Sequence, residues 1–393
     1  MKLKEIFEKP LSGEWGTESP RMEECVPVIR TTNFRNTGKI NYDNLVYRKI
    51  DIEKKKEKLL KNGDIIIEKS GGSPAQPVGR VVYFDLIKSE AIFTNNFTAI
   101  LRPKKNIVSK YAFYFLRYLY SQNIVLKFQN KTTGIINLKL NDYLEKIEIQ
   151  IPSLLVQQKI ADILDLSSEL IEKRKDQIAE MDKLVQSMFE EVLSKEKCST
   201  VNFDELIVSS KNGLSRRAQD EDGDVVLKIP NIQPNSLDLR KLNKIRLTEQ
   251  ERDKYSLSLE DLLIVRVNGN PNYVGRNAVF LEEYPYYFND HIIRIRVKGI
   301  NVKYLSYYLN SRYGKSQIAK NIKTSAGQYT ISRPGLDKVK IRIVSKHTQE
   351  RFVSFCSEIL LQKKVMEESL HEMENNFNAL MHKAFRGELF PEE

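Results

Sequence analysis

The chain is poor in the residues that carry redox and metal chemistry. Its 393 residues hold three cysteines, four histidines and one tryptophan. Cys25, Cys198 and Cys356 are too few and too far apart for a disulfide framework or a paired-thiol zinc site, and they fit a reducing compartment. No apolar run is long enough to span a membrane, and MKLKEIFEKP lacks the apolar centre of a signal peptide. A cytoplasmic protein with no membrane role is expected. No GxxxxGK[ST] phosphate loop occurs, and no Pro-Asp dipeptide is present to open a nuclease metal site. His291, His347, His371 and His382 have no cluster of thiols or carboxylates beside them in the sequence, so they read as packed or solvated side chains, with no metal expected.

What is present points elsewhere. With 41% hydrophobic and 29% charged residues the chain can build cores for two or three domains. A net charge of +11 favours a polyanionic partner, nucleic acid first.

Residues 151–195 carry the clearest pattern. Leu164, Ile171, Ile178, Val185 and Val192 recur every seven residues. Ile160, Met181 and Met188 fill the column four residues earlier, where Ser167 and Arg174 interrupt it. This is a coiled-coil seam, free of Pro and Gly after Pro152. The pattern returns in residues 343–390. Cys356, Leu370, Phe377 and Ala384 form one column, interrupted by Lys363; Phe352, Ile359, Met366, Met373 and Leu380 form the other. An offset of 192 carries the first set of columns onto the second. Arg174 and Lys363, polar in apolar columns, are expected to fix the register of helix pairing.

The regions before the two helices repeat as well. In the first, CVPVIRTTNF, DIIIEKS, VVYFD and FTAILRP read as strands, KYAFYFLRYLYSQ as a helix, and TTGIINLKL and EKIEIQIP as a return to strand. In the second, VVLKIPNI, EDLLI, VKYLSYYLNSRYG, SAGQYTI and KVKIRIV follow in the same order. The offset falls steadily from 198 to 192, passing 196 at the Val-Gly-Arg turns (78–80 and 274–276) and 194 at Asn95 and Arg102 against Asn289 and Arg296. Small deletions along one duplication produce such a drift. The expected organisation is a first domain over 1–150, a central helix over 151–197, a second domain over 198–342 and a distal helix over 343–393. If the helices pair antiparallel, the globules are related by an approximate two-fold axis, suited to two reading surfaces on one duplex.

At this level the whole chain resembles the specificity subunit of type I restriction–modification systems. The carrying features are IPSLLVQQKIADIL and its counterpart SKHTQERFVSFC, the ending Ala384-Phe385-Arg386-Gly387-Glu388-Leu389, the openings VIRTTNF and VLKIPNIQPNSLDL, and the VGR turns. The lead-in to the central helix departs from the family style, having Leu154-Leu155-Val156 where a Pro pair and an acidic residue are usual, and the second lead-in lacks Pro. The resemblance implies an α+β protein: two similar mixed α/β target-recognition domains separated by two long antiparallel coiled-coil helices with pseudo-two-fold symmetry. It implies a non-catalytic DNA-recognition subunit that binds double-stranded DNA at an asymmetric bipartite site. Its partners would be two modification (adenine-N6 methyltransferase) subunits, and restriction–translocation subunits where a system has them. S-adenosylmethionine, ATP and Mg would belong to those partners, leaving this chain without a cofactor.

Base reading needs donors that reach groove edges and cations that meet phosphates. The candidates lie where loops leave strands: Arg30, Asn33, Arg35, Lys69, Ser73, Gln76, Arg80, Lys131, Thr132 and Thr133 in the first domain. In the second they are Lys228, Asn231, Gln233, Arg266, Asn268, Asn270, Asn272, Arg276, Ser325, Gln328 and Tyr329. Asn270-Pro271-Asn272-Tyr273 comes within one residue of an amino-methyltransferase signature, but no cofactor-binding Gly loop accompanies it, so it reads as a recognition loop. Tyr111, Phe113, Tyr114, Phe115, Tyr118 and Tyr120 are candidates for base stacking, but their helical spacing and their copy at Tyr304, Tyr307 and Tyr308 favour core packing. The competing functions are an adenine-N6 methyltransferase, fused or stand-alone, and a coiled-coil interaction protein without a DNA role.

Overall fold

The computed structural model describes residues 1–87, 91–132, 134–216, 220–325 and 327–390. Two compact units emerge, and their boundaries fall inside the long helices: one is Met1–Asp176 with Glu367–Glu393, the other Gln177–Met366. Both long helices are continuous, Leu154–Lys195 and Lys346–Phe385. Each unit is a strand-rich globule packed on one half of the central helix and one half of the distal helix.

The framework sheet of the first unit is antiparallel, ordered Leu11–Ser12, Thr98–Leu101, Ile65–Glu68, Val81–Tyr83. Its central strand shows why an unbroken apolar run is needed. Ile65 and Ile67 point into the core beside the helices, while Ile66 points into a second core with Ile29, Val82 and Ile100. Alternate side chains thus serve opposite faces, and both faces are buried. The second unit repeats this: Leu262 and Ile264 face the helix-side core, Leu263 and Val265 the other. Its sheet runs Ile207–Asn212, Ile292–Val297, Leu262–Val265, Asn277–Val279.

The aromatic helices, Ser109–Ser121 and Val302–Asn310, join globule to long helices. Tyr111, Phe113, Tyr114 and Phe115 are buried, and Phe115 meets Phe385 edge-on at 5.3 Å. In the second unit Phe189 stacks against Tyr304 and Phe352. These rings are core, and their buried hydroxyls find partners: Tyr111 donates to the Gln150 carbonyl and Tyr304 to that of Arg342, at 2.9 and 3.0 Å, while Tyr114 donates to the Asp165 carboxylate.

One glutamine fixes each long helix to its aromatic helix. Buried Gln157 accepts from Val108 N–H at 2.9 Å and donates to the Pro152 carbonyl. Gln349 does the same with Asn301 N–H at 2.9 Å and the Val344 carbonyl. Both satisfy an N–H at a helix start that has no partner within its own helix.

Within each unit the half-helices run antiparallel. In the first, Lys159 lies over the Phe390 ring and Lys175 pairs with Glu374 at 2.6 Å. In the second, Phe189 meets Phe352 and Lys363 grips both oxygens of Asp182 at 2.7 and 2.8 Å. Lys363 is therefore tied to one position on the facing helix. The seam columns are only part of the apolar stripe. Phe189, Leu193 and Met381 lie outside them and are buried against the globules. A helix that packs on both a partner helix and a domain needs this wider face.

One expected strand does not form. Residues 145–152 were expected to run as a half-buried strand, but Leu140–Lys146 is helical and only an isolated bridge, Lys2 to Glu148, follows. The counterpart Lys340–Ile343 is a strand because Ser199–Asn202 lies antiparallel to it through four paired residues. In the first unit the facing segment is Met1–Leu3, whose backbone bonds to residues 145–152 come from Met1 and Leu3. Among the described residues no helix is long and apolar enough to cross a membrane, and no group of three His, Cys, Asp or Glu could hold a metal ion.

Candidate nucleic-acid interface

Each unit has a small sheet standing beside the framework sheet. In the first it is Ser70–Gly71, Ile135–Leu138, Gln129–Thr132; in the second Val267–Asn268, Gln328–Thr330, Lys323–Ser325. The strand that opens each sheet continues directly from the buried central strand. The loop after it ends in the Val-Gly-Arg turn. Gly79 and Gly275 have φ of +106° and +86°, and a Cβ on either would lie 2.8 Å from Val125 or Ile318. The turn thus needs glycine twice over, for its backbone and for its packing.

Several predicted residues gather here. Asn268 is paired with Tyr329 across the second small sheet, and Ser325 with Gln328. Asn268 and Asn270 each accept a backbone N–H two residues on, from Asn270 and Asn272, which shapes the loop and occupies their carbonyls. Gln233 and Arg276 touch, Nη1 donating to Oε1 at 3.1 Å. Arg266 is half-buried and donates to the Asp290 carbonyl. In the first unit Gln76 donates to Asn36 at 3.2 Å, Ser73 closes a tight turn with Gln76, and both line an open pocket with Thr31, Phe34, Glu68 and Arg80. Arg35 donates to Asn41 at 3.3 Å and remains exposed. Lys131 and Thr132 lie on the strand Gln129–Thr132; Thr133 lies outside the described residues.

Other candidates are structural. Asn33 and Asn231 are 2% and 4% exposed. Asn33 accepts from Arg30 N–H and donates to the carbonyls of Asn41 and Asn44. Asn231 accepts from Lys228 N–H and donates to Asp238 and Lys241. Each closes a surface loop from below and cannot reach a base. Arg30 donates to the Asn44 carbonyl at 3.4 Å, on the same loop. Lys228 donates to Asn243 at 2.6 Å. Lys69 donates to Ser12 at 2.6 Å, and burial, with Lys58 nearby, holds its amine below the usual lysine range. It is less available to a phosphate than its sequence position suggests.

Two further residues take part: Tyr273 belongs to the loop read above as a recognition loop but not to the candidate donors, and Glu68 was not singled out. Tyr273, 41% exposed, lies under the Arg276 guanidinium at 4.2 Å. Buried Glu68 takes Arg80 in a two-pronged pair, Nε at 2.8 Å and Nη2 at 3.1 Å. An acid ending a run of three isoleucines, twelve residues before an arginine, was the signal for that pair.

Comparison with known proteins agrees with this geometry. The family model for the type I restriction modification DNA specificity domain matches residues 1–180 and again 196–375. The chain is 27% identical to the type I restriction enzyme StySPI specificity subunit of Salmonella potsdam, covering 93% of this chain and 83% of that one. It is 25% identical to the EcoKI specificity subunit of Escherichia coli K12, with the same coverage. A solved chain from work on complex assembly and conformational transition of the type I R-M system superposes with a TM-score of 0.60 at 16% identity, covering 99% of this chain and 97% of its own. The crystal structure of the type I S subunit from M. genitalium gives 0.56 at 16% identity, covering 98% and 95%. At such identities these two likenesses speak for the fold.

Proposed function

Because the chain belongs to the type I restriction–modification DNA specificity family, we propose that each of its two units binds one half of an asymmetric bipartite site on double-stranded DNA. The chain is a non-catalytic recognition subunit. The observation that carries the two-half reading is the duplicated small sheet, whose backbone repeats while its loops, SGGSPAQP and VNGNPN, differ. The long helices dock two adenine-N6 modification subunits and set the gap between half-sites. S-adenosylmethionine, ATP and Mg act in the partner subunits, in the cytoplasm, and restriction–translocation subunits join where the system has them.

A salt titration tests DNA binding. Affinity for random duplex should fall steeply with salt, as phosphate contacts require, and selection from a random library should recover two unlike half-sites. Deleting one heptad from each helix, Ile171–Gln177 and Lys363–Ser369, removes ~10 Å of each. The recovered gap should shorten by up to about three base pairs with the half-sites unchanged. Altered half-sites at an unchanged gap would place specificity in the helices instead.

A further inference from the structure

We propose that Arg276 reads a guanine through the major groove of the second half-site, while Arg80, at the matching position of the first unit, reads no base. This rests on the DNA-recognition reading above and assigns the base class to one of its residues.

The two arginines leave the same turn from the same rung of the sheet. Glu68 N–H donates to the Arg80 carbonyl at 2.9 Å, and Gly79 N–H to the Glu68 carbonyl at 2.9 Å. Val265 N–H donates to the Arg276 carbonyl at 2.8 Å, and Gly275 N–H to the Val265 carbonyl at 2.8 Å. Glu68 and Val265 are therefore structural equivalents. The side chains then part. Arg80 spends its Nε and Nη2 on Glu68, with Nη2 also 3.3 Å from the Thr31 carbonyl. Charge and fork are both consumed within the protein. In the second unit a buried valine stands where the carboxylate was. Arg276 has no carboxylate partner among the described residues; it lies against Tyr273 and gives Nη1 to Gln233.

That arrangement suits a base. The tyrosine face and the amide fix the guanidinium plane before DNA arrives, so little ordering is left to occur on binding. Its Nε–Nη2 edge has no hydrogen-bond partner among the described residues. A planar arginine fork matches guanine O6 and N7, whereas adenine offers N7 beside a donor. A phosphate contact would serve both half-sites alike. Here the same residue is neutralised in one unit and presented in the other, which is how a contact particular to one half-site behaves.

The test is selection of full-chain protein on duplex libraries randomised over both half-sites, with wild type, Arg276→Gln, Arg276→Lys and Arg80→Gln compared. Melting temperature and circular dichroism confirm folding. Wild type should require guanine at one position of one half-site. Arg276→Gln should lose that requirement and bind the wild-type duplex roughly 5- to 150-fold more weakly. Arg276→Lys keeps the charge but loses the planar fork stacked on Tyr273 and should weaken the guanine requirement. Arg80→Gln should leave every base preference in place. If Arg276→Gln weakens all duplexes equally and keeps the guanine requirement, Arg276 contacts phosphate and the proposal fails. If the lost preference is for another base, it also fails. Absence of any sequence preference in wild type would sink the recognition reading itself, and the proposal with it.

Discussion

The two units share a backbone to the level of single hydrogen bonds, yet they treat one arginine in opposite ways. Gln157 and Gln349, Asn33 and Asn231, Tyr111 and Tyr304, Gly79 and Gly275 each do the same work in both. Against that background, Glu68 beside Arg80 and Val265 beneath Arg276 stand out. A second divergence lies in the aromatic helices. Arg117, stacked near Phe113 and Phe377, has a buried Nη1 without a partner, while Asn310 at the matching position is fully bonded to Asn235, Asn277 and Ser306. The pairs that agree hold the scaffold. Of the pairs that differ, Arg80 and Arg276 leave the turns beside the small sheets, whereas Arg117 and Asn310 lie in the packed helices.

Breaking the buried pair should have the largest effect on stability. Glu68→Ala leaves the Arg80 charge without its acid and should cost ~3–5 kcal/mol. Denaturant unfolding should show a destabilised first-unit transition and an unchanged second. The reverse swap sharpens the comparison. Val265→Glu gives the second unit the first unit's acid, which should capture Arg276 and abolish the guanine requirement in library selection while leaving the first half-site intact. Gln157→Ala and Gln349→Ala each orphan a helix-start N–H and should cost ~1–3 kcal/mol apiece. Similar losses support equivalent clasps; a large loss in one with none in the other would break the equivalence. Lys363→Met should have the smallest effect, under about 1 kcal/mol, because Asp182 is exposed and such a pair contributes little. The matching position in the first unit is already Ile171. A change in mass by light scattering would show instead that Lys363 sets register.

The fold was largely legible because it is written twice. The heptad columns, the aromatic helices and the buried central strands each carry a period that burial imposes. The strand at 145–152 was misread because alternation records a half-buried surface and says nothing of whether a neighbouring strand is there to pair. The wider helix face, with Phe189 and Met381, needed knowledge of the globule it packs on. The candidate site was less legible. Asn33 and Asn231 looked like base readers because Asn recognises adenine, but an identical residue at matching positions of units with unlike loops is better placed to serve the scaffold. Arg80 and Arg276 have the same name and different partners, and only the strand opposite distinguishes them.

The central claim is that one chain carries two recognition units of different specificity. Methylome sequencing of a host with and without this chain, its modification subunit present in both, addresses it most directly. The account predicts N6-methyladenine at one bipartite motif with two unlike half-sites, absent when the chain is absent. A palindromic or undivided motif, or methylation that persists without the chain, would contradict it.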